Sequence, residues 1–528
     1  MSTYDAVVVG AGPNGLVAAN HLADAGWSVL VVEAQPEPGG AVRSDRELHP
    51  DFVHDTCSAF YPLGAASPVL RGLELEKFGL AWRHAPAVLG HPFPDGSWAL
   101  QERDREATAA RLDAAHSGDG EAWLTRCREW DAIGEHVVGA LLSPFPPVRH
   151  SLGAAARLRS VGGLDYVKML LTPAAELGET YFGGPAPQIL LAGNAGHADI
   201  PLAAPGSGLL GYLLTMLAHT VGFPVPEGGA GRLTDALVRR LRAGGGEIAC
   251  SEPVTGIEVR NGRPTAVRTP ARSIGVRHAV LADVNAQQLY GDLLADHVVP
   301  SRVRRGMRSF RMDPGTVKVD WALDGPVPWE SPPDVAPGTV HVSDSLAQMV
   351  EALSQVAAGG IPADPFLLTG QMTTADPTRS PAGTESMWAY THVPQRTTHD
   401  VGDGGVRGVW DRDDCERFAD RMQARIEARA PGFGSRVISR RILGPRELEA
   451  RNANLVGGAV GGGTSQLHQQ LVFRPVPGLG RAETGVRGVY LASSSAHPGG
   501  AVHGACGMNA ARAALAHRRV GRLVPVRR

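Results

Sequence analysis

A chain of 528 residues with 43% hydrophobic content suits two or three domains with sizeable cores. Its formal net charge of −2 offers no electrostatic footprint for nucleic acid, so no nucleic-acid partner is expected. No apolar run reaches the roughly 18 residues of a membrane span, and the first strand starts too early for a secretory leader, so the expected address is the cytoplasm.

Tyr4 to Val9 reads as a strand and runs into Gly10-Ala11-Gly12-Pro13-Asn14-Gly15. A helix from Leu16 to Ala25 is expected next, then a second strand from Ser28 to Val32 that ends at Glu33 and Ala34. In this order each glycine has a task. Gly10 makes the tight turn, Gly12 admits a pyrophosphate close to the backbone, and Gly15 lets helix approach strand. The helix start offers unpaired N–H groups and a positive dipole end to phosphates. Glu33 stands where a carboxylate accepts from ribose hydroxyls. A second glycine turn, Pro38-Gly39-Gly40, follows at once, then Ala41-Val42-Arg43-Ser44. A simple nicotinamide site has no use for it; a cofactor with a second bulky half, such as FAD, does.

Residues 62–221 read as mixed helices and loops, with the proline cluster Pro144-Phe145-Pro146-Pro147. The dinucleotide-type pattern then resumes. A helix places Leu233, Ala236, Leu237 and Leu241 on one face and stops at Gly244-Gly245-Gly246. Strands are expected at Glu247 to Cys250, Val254 to Val259, Thr265 to Arg268 and His278 to Ala282, with a turn at Asn261-Gly262. Thr316 to Leu323 alternates, with Val317, Val319, Trp321 and Leu323 on one face and Lys318 and Asp320 on the other. A helix is expected from Ser345 to Val356 and another from Cys415 to Ala428, and a strand between them puts Trp388, Tyr390 and His392 on one face. Gly457 to Gly463 reads as loop. Near the end, the strand Gly488 to Leu491 leads through Ser494 into His497-Pro498-Gly499-Gly500-Ala501-Val502-His503-Gly504 and an alanine-rich helix from Met508 and Asn509.

The cysteines Cys57, Cys127, Cys250, Cys415 and Cys506 form no CxxC or CxxxxC pair. That spacing argues against a dithiol redox centre and against zinc, and no metal site is expected.

Taken together, Tyr4–Ser44, Pro226–Val259, Gly338–Gln348 and Arg474–Leu515 resemble the phytoene desaturase-like FAD-dependent oxidoreductases. Within them the likeness is greatest to the branch of pyridine nucleotide-disulfide oxidoreductase domain-containing protein 2 and the desaturase-like carotene ketolases. The resemblance implies an α/β two-dinucleotide-binding-domain flavoprotein: a Rossmann-like FAD domain with a substrate domain of mixed sheet and helices. The implied FAD domain is discontinuous, residues 1–61, 222–308 and 482–528, and the substrate domain comprises 62–221 and 309–481. The implied cofactor contacts are Gly10, Gly12, Pro13, Asn14, Gly15, Glu33, Ala34, Gly39, Gly40, Ala41, Arg43, Val254 (at adenine), Ser494, Gly499, Gly500, Val502, Met508 and Asn509. Two positions depart from the family pattern. Ala41 stands where many members carry arginine, leaving Arg43 or Ser44 to substitute, and Ala492-Ser493-Ser494-Ser495 replaces a Gly-Asp pair.

The function expected is oxidation or desaturation of an apolar, carotenoid- or terpenoid-like small molecule by hydride transfer to flavin. The alternatives are a flavin amine oxidase or tailoring oxidase, and a flavin-binding interaction protein with little turnover. Candidate catalytic groups are His503, Tyr390 and His392; each has a structural alternative as a backbone-bonded or core residue. A second strand–GxGxxG–helix unit is not evident, which points to oxygen or a quinone as electron acceptor. The apolar stretch Leu209 to Val225 and the basic tail of Arg518, Arg519, Arg522, Arg527 and Arg528 read either as a buried helix and a solvated terminus or as peripheral membrane contacts.

Overall fold

The computed structural model describes residues 2–523, with side chains described through residue 520. Among these residues, two seven-stranded sheets organise the chain. In the first, the strand Thr3–Val9 runs parallel to Val29–Val32 on one side and to Ser273–Ala282 on the other. Glu247–Ala249 and Val489–Leu491 join in parallel, and the hairpin of Gly256–Arg260 and Arg263–Arg268 adds an antiparallel edge. Val7, Val9, Leu30 and Val32 pack into a core on one face, while Ala6, Val8, Val29 and Val31 pack on the opposite face. Burial on both faces is why these strands read as unbroken apolar runs rather than alternating ones. The helix Pro13–Asp24 covers the second face beside Gly231–Ala243 and Ala505–Leu523.

The second sheet has the strand order Val437–Leu443, Gly315–Leu323, Glu385–Val393, Leu367–Gln371, Pro337–Val342, Ala87–Pro92 and Trp98–Gln101. Its two faces differ sharply in chemistry. Val317, Val319, Trp321, Val340, Met387 and Ala389 share a core with Phe418, Met422 and Ile426 of the helix Arg412–Glu427. The opposite face carries Thr316, Lys318, Asp320, Thr339, His341, Trp388 and His392, all buried as well. Strand period two separates the sets.

Several expectations need correction. Residues 62–221 are not all helix and loop, because Ala87–Pro92 and Trp98–Gln101 form a hairpin at the edge of the second sheet. Their alternation is too short, and too interrupted by Gly90 and Pro92, to register as strand in sequence. The short strand expected at His278 is ten residues long, Ser273–Ala282, because its first half pairs with Arg263–Arg268 and with Thr3–Val9. Residues 209–220 fall in the helix Ser207–Thr220, whose Tyr212, Leu213, Met216 and Leu217 are buried, so this stretch is not a surface for a bilayer. The last helix begins at Ala505, a turn before Met508.

Buried charge ties the second sheet to the small hairpin of Ser44–Asp45 and His54–Asp55. Arg441 reaches Asp320 at 2.8 Å and Asp45 at 2.7 Å, and Arg379 reaches Asp55 at 3.0 Å. Lys318 pairs with Asp320 and also donates to the Asp55 carbonyl at 2.9 Å. Burial alone would raise the Asp320 pKa, but Lys318 and Arg441 hold it below the ordinary carboxylate value.

Candidate functional site

Between the sheets lies a cavity of ≈ 580 Å³, within the range of small-molecule sites. It runs from the first glycine turn and Glu33, past Gly40 and Ala41, to Trp388 and Tyr390 and to Leu209, Leu210, Leu213 and Leu214.

The glycine turn is as tight as its sequence predicts. Gly10 has φ +95, and a Cβ there would lie 2.7 Å from the Asp283 carbonyl oxygen. At Gly15 a Cβ would lie 2.2 Å from the Gly10 carbonyl oxygen, so helix and strand touch backbone to backbone. The helix Pro13–Asp24 starts at Gly12 with no side-chain cap and no acid in its first turn. Its positive end is thus left for an external anion. Asn14 lines the cavity, and its buried Oδ1 has no hydrogen-bond partner. Glu33 Oε2 accepts from the Ala11 N–H at 2.7 Å and Oε1 from the Gln35 N–H at 2.9 Å. A carboxylate has about four lone-pair sites, so capacity remains for a ligand hydroxyl. Asp283, which sequence reading missed, accepts from the Gly15 N–H at 2.8 Å, and burial pushes its pKa up to about 7. Its place one residue past the strand Ser273–Ala282 was the signal available.

The C-terminal segment forms another wall. Gly500, Val502 and His503 line the cavity together with Gly461 and Gly462. Arg474 holds these loops in place. Fully buried, it donates to Ser494 O at 2.7 Å, to Gly461 O at 3.1 Å and to Thr464 O at 3.0 Å. A Cβ on Gly500 would lie 3.0 Å from the Gly461 Cα.

Of the residues named from sequence, Gly10, Gly12, Pro13, Asn14, Glu33, Ala34, Gly40, Ala41, Val254, Ser494, Gly500, Val502, His503 and Tyr390 line the cavity. Gly15, Gly39, Arg43, Gly499, Met508, Asn509 and His392 do not. Gly15 is taken up by packing on Gly10, and Gly499 lies against Arg474. Asn509 Nδ2 turns away to the Leu142 carbonyl at 3.3 Å. Met508 and Asn509 sit inside the helix, not at its start, because the helix begins at Ala505.

The catalytic candidates separate in the same way. His503 Nδ1 accepts from the Ala505 N–H at 3.0 Å, which leaves Nε2–H to donate to Gly500 O at 3.1 Å. Both ring nitrogens are spent on backbone, and burial lowers the pKa to about 4. His503 is therefore a neutral cap for the last helix, which does not suit it to proton transfer. His392 lies off the cavity, 3.0 Å from Asp199. Burial works against its charge, but the Asp199 carboxylate raises its pKa overall. Tyr390 does face the cavity, stacked on Trp388 with ring centroids 5.8 Å apart. Burial pushes its pKa well above 10, so the phenol keeps its proton. Its hydroxyl is 3.5 Å from Nδ1 of His197.

Sequence reading also missed His197, Asp199, Lys318 and Cys57 as cavity residues. Cys57 remains a thiol, its pKa raised to about 11 by burial. The helices that carry His197 and Asp199 to the sheet gave no local signal.

Sheet order, glycine turn and cavity together define a Rossmann-like α/β oxidoreductase fold with a second, mixed sheet. A family model for the NAD(P)-binding Rossmann-like domain matches residues 8–73. The chain has homologues that include phytoene dehydrogenases and desaturases. It is similar to pyridine nucleotide-disulfide oxidoreductase domain-containing protein 2 of Rattus norvegicus, at 28% identity over 96% of this chain and 92% of that one. It is also similar to the phytoene dehydrogenase of Streptomyces griseus, at 27% identity over 84% and 83%. In fold it matches a solved mutant of putrescine oxidase with TM-score 0.60, at 15% identity over 98% and 99%.

Proposed function

We propose that this chain is an FAD-dependent oxidoreductase acting on a largely apolar small molecule. The observation that carries the reading is the continuity of one cavity from Gly12 and Glu33 to the leucines of Ser207–Thr220. One end is built for an anionic dinucleotide, the other for an apolar body. The uncapped helix at Gly12, the orphaned Asn14 Oδ1 and the spare acceptor capacity of Glu33 fit a diphosphate and a ribose. The second glycine turn, with Gly40 at φ +56 on the cavity wall, supports a dinucleotide whose second half lies along this wall, and the resemblance to flavoproteins favours FAD over NAD. Ser494, Gly500 and Val502 would border its far end.

When bound, a flavin accepts a hydride from substrate carbon. The chain's part is to orient the substrate and exclude water. Leu209, Leu213, Leu467 and Leu471 supply apolar walls, and Tyr390 holds a proton at its hydroxyl. Oxygen or a quinone as reoxidant is part of this proposal. Denaturation should release FAD into the filtrate, and anaerobic addition of a substrate should bleach the flavin spectrum. A folded protein that takes up NAD but no flavin would end the reading.

A second reading, amine oxidation, is favoured by one observation: Asp199 puts a carboxylate on the same wall as the stacked Trp388 and Tyr390.

An apolar substrate must be loaded from a bilayer or a carrier. Exposed apolar side chains cluster on two neighbouring helices, Val148–Arg157 and Leu164–Leu171, with Leu152 at 67% and Leu164 at 79% exposure. Exposed Arg149, Arg157, Arg159 and Lys168 accompany them. Leu171 O accepts from the Gly206 N–H, and Gly206 packs on Leu467 of the cavity wall. This surface replaces Leu209 to Val225 as the proposed site of peripheral membrane contact. Of the basic tail, Arg527 and Arg528, and the side chain of Arg522, lie outside the described residues.

A further inference from the structure

A pure hydrocarbon would be a poor match for the cavity's sheet wall. Thr316 and Thr339 both line the cavity, both are buried, and neither Oγ1 has a hydrogen-bond partner. Such groups are costly to leave dry, and native proteins rarely do so without a ligand or water to complete them. Thr316 pairs across the sheet with His392, and Lys318 pairs with Tyr390, so Thr316 and Tyr390 are diagonal neighbours on one face. The Tyr390 hydroxyl has only the 3.5 Å contact to His197 among the hydrogen bonds described here. Two hydroxyls, each able to donate, therefore share one face of the sheet and line one cavity.

We infer that the substrate carries a neutral oxygen function, a hydroxyl or a carbonyl, that docks on Thr316 and Tyr390 while its apolar body lies along Leu209 and Leu213. Asp199 is engaged in part, its Oδ1 lying 3.0 Å from His392 Nε2, and an amine rather than a neutral oxygen would be the ligand that prefers it. Thr339 lies three strands away and would meet a second polar group or a water. The inference rests on the cavity being the substrate site, as proposed above, and it narrows the substrate to an oxygenated apolar molecule.

The test is calorimetric binding of n-octane, 1-octanol, 2-octanone and octylamine to the full-length protein as purified, with flavin content measured separately after denaturation. Octanol and octanone are expected to bind about five- to tenfold more tightly than octane, the range of one or two net hydrogen bonds. Thr316→Val should reduce that preference without weakening octane, and Thr316→Ser should keep it. If Thr316→Val does not fold, Tyr390→Phe is expected to reduce the preference in the same direction. Equal affinity for octane and octanol would overturn the inference. So would tightest binding of octylamine insensitive to Thr316→Val, which would make Asp199 the anchor. Because the readout needs no turnover, a protein lacking flavin that still prefers octanol through Thr316 would refute the FAD assignment alone.

Discussion

A Cβ added to Gly507 would lie 1.9 Å from the carbonyl oxygen of Asn14. The last helix thus rests on the first turn of the first helix, through residues almost 500 positions apart in sequence. In an ordinary helix interior, glycine to alanine gains up to about 1 kcal/mol. Here the contact is with backbone, which has no rotamer to yield. Gly507→Ala is expected to destabilise the protein by about 1–3 kcal/mol and to lower cofactor content. Urea denaturation checks the first effect; absorbance of the denatured filtrate checks the second.

The glycine turn predicts a graded pair. Gly12→Val would push against Asp283 Oδ2, 2.6 Å from the added Cβ, and fill space at the cavity wall. It should abolish FAD retention. Glu33→Ala removes the acceptor for the Ala11 and Gln35 N–H groups and for a ribose, and should weaken binding by about 1.5–3 kcal/mol without abolishing it. Equal flavin content in Gly12→Val and wild type would place the cofactor elsewhere.

Arg441 clamps the second sheet to the hairpin of Ser44–Asp45 and His54–Asp55. Truncating it strands Asp320, which is fully buried, with Lys318 as its remaining cationic partner. Loss of one partner of a buried pair typically costs about 3–5 kcal/mol, so Arg441→Ala should lower the denaturation midpoint strongly. Arg440→Ala, which removes ion pairs to partly exposed Glu416 and Asp420, should do far less.

Asp283 gives the protein a pH signature. Its pKa rises from 3.8 to about 7 on folding, chiefly through burial. Between those values the folded protein holds a proton that the unfolded chain has released. Stability from this group is therefore fully present below pH 4, falls as pH rises towards 7, and levels off above. Asp283→Asn keeps an acceptor for the Gly15 N–H and should remove that slope, with a maximum difference of roughly 4 kcal/mol. Parallel pH series of urea midpoints for the two proteins would show it.

Bilayer contact is testable on the helices. Leu164→Ser with Leu171→Ser should reduce co-sedimentation with anionic vesicles, and salt should reduce it too, since each nearby basic residue contributes about 1 kcal/mol. No helix among the described residues is long and apolar enough to cross a membrane, so any attachment through these helices is peripheral. Unchanged sedimentation after both treatments would remove this surface from the loading route.

Sequence alone determined the elements whose physics is local. Thr3–Val9, Pro13–Asp24 and Val29–Val32 are legible because apolar runs, a glycine turn and a terminal acid fall in fixed order within 33 residues. Face assignment on Gly315–Leu323 and Glu385–Val393 was legible too, since period two needs no partner to be seen. Tertiary structure decided everything that depended on what meets what. His503 looked catalytic in sequence and became a helix cap only when Ala505 and Gly500 took both its nitrogens. Leu209 to Val225 read either as a buried helix or as a membrane contact, and packing of Ser207–Thr220 on the helix Pro185–Gly196 decided for burial. Thr316, Asp199 and Asp283 gave no motif, yet the fold brings all three to one cavity. Their roles arise from burial beside partners more than seventy residues away, and such pairing leaves no periodicity in the chain for a reader to find.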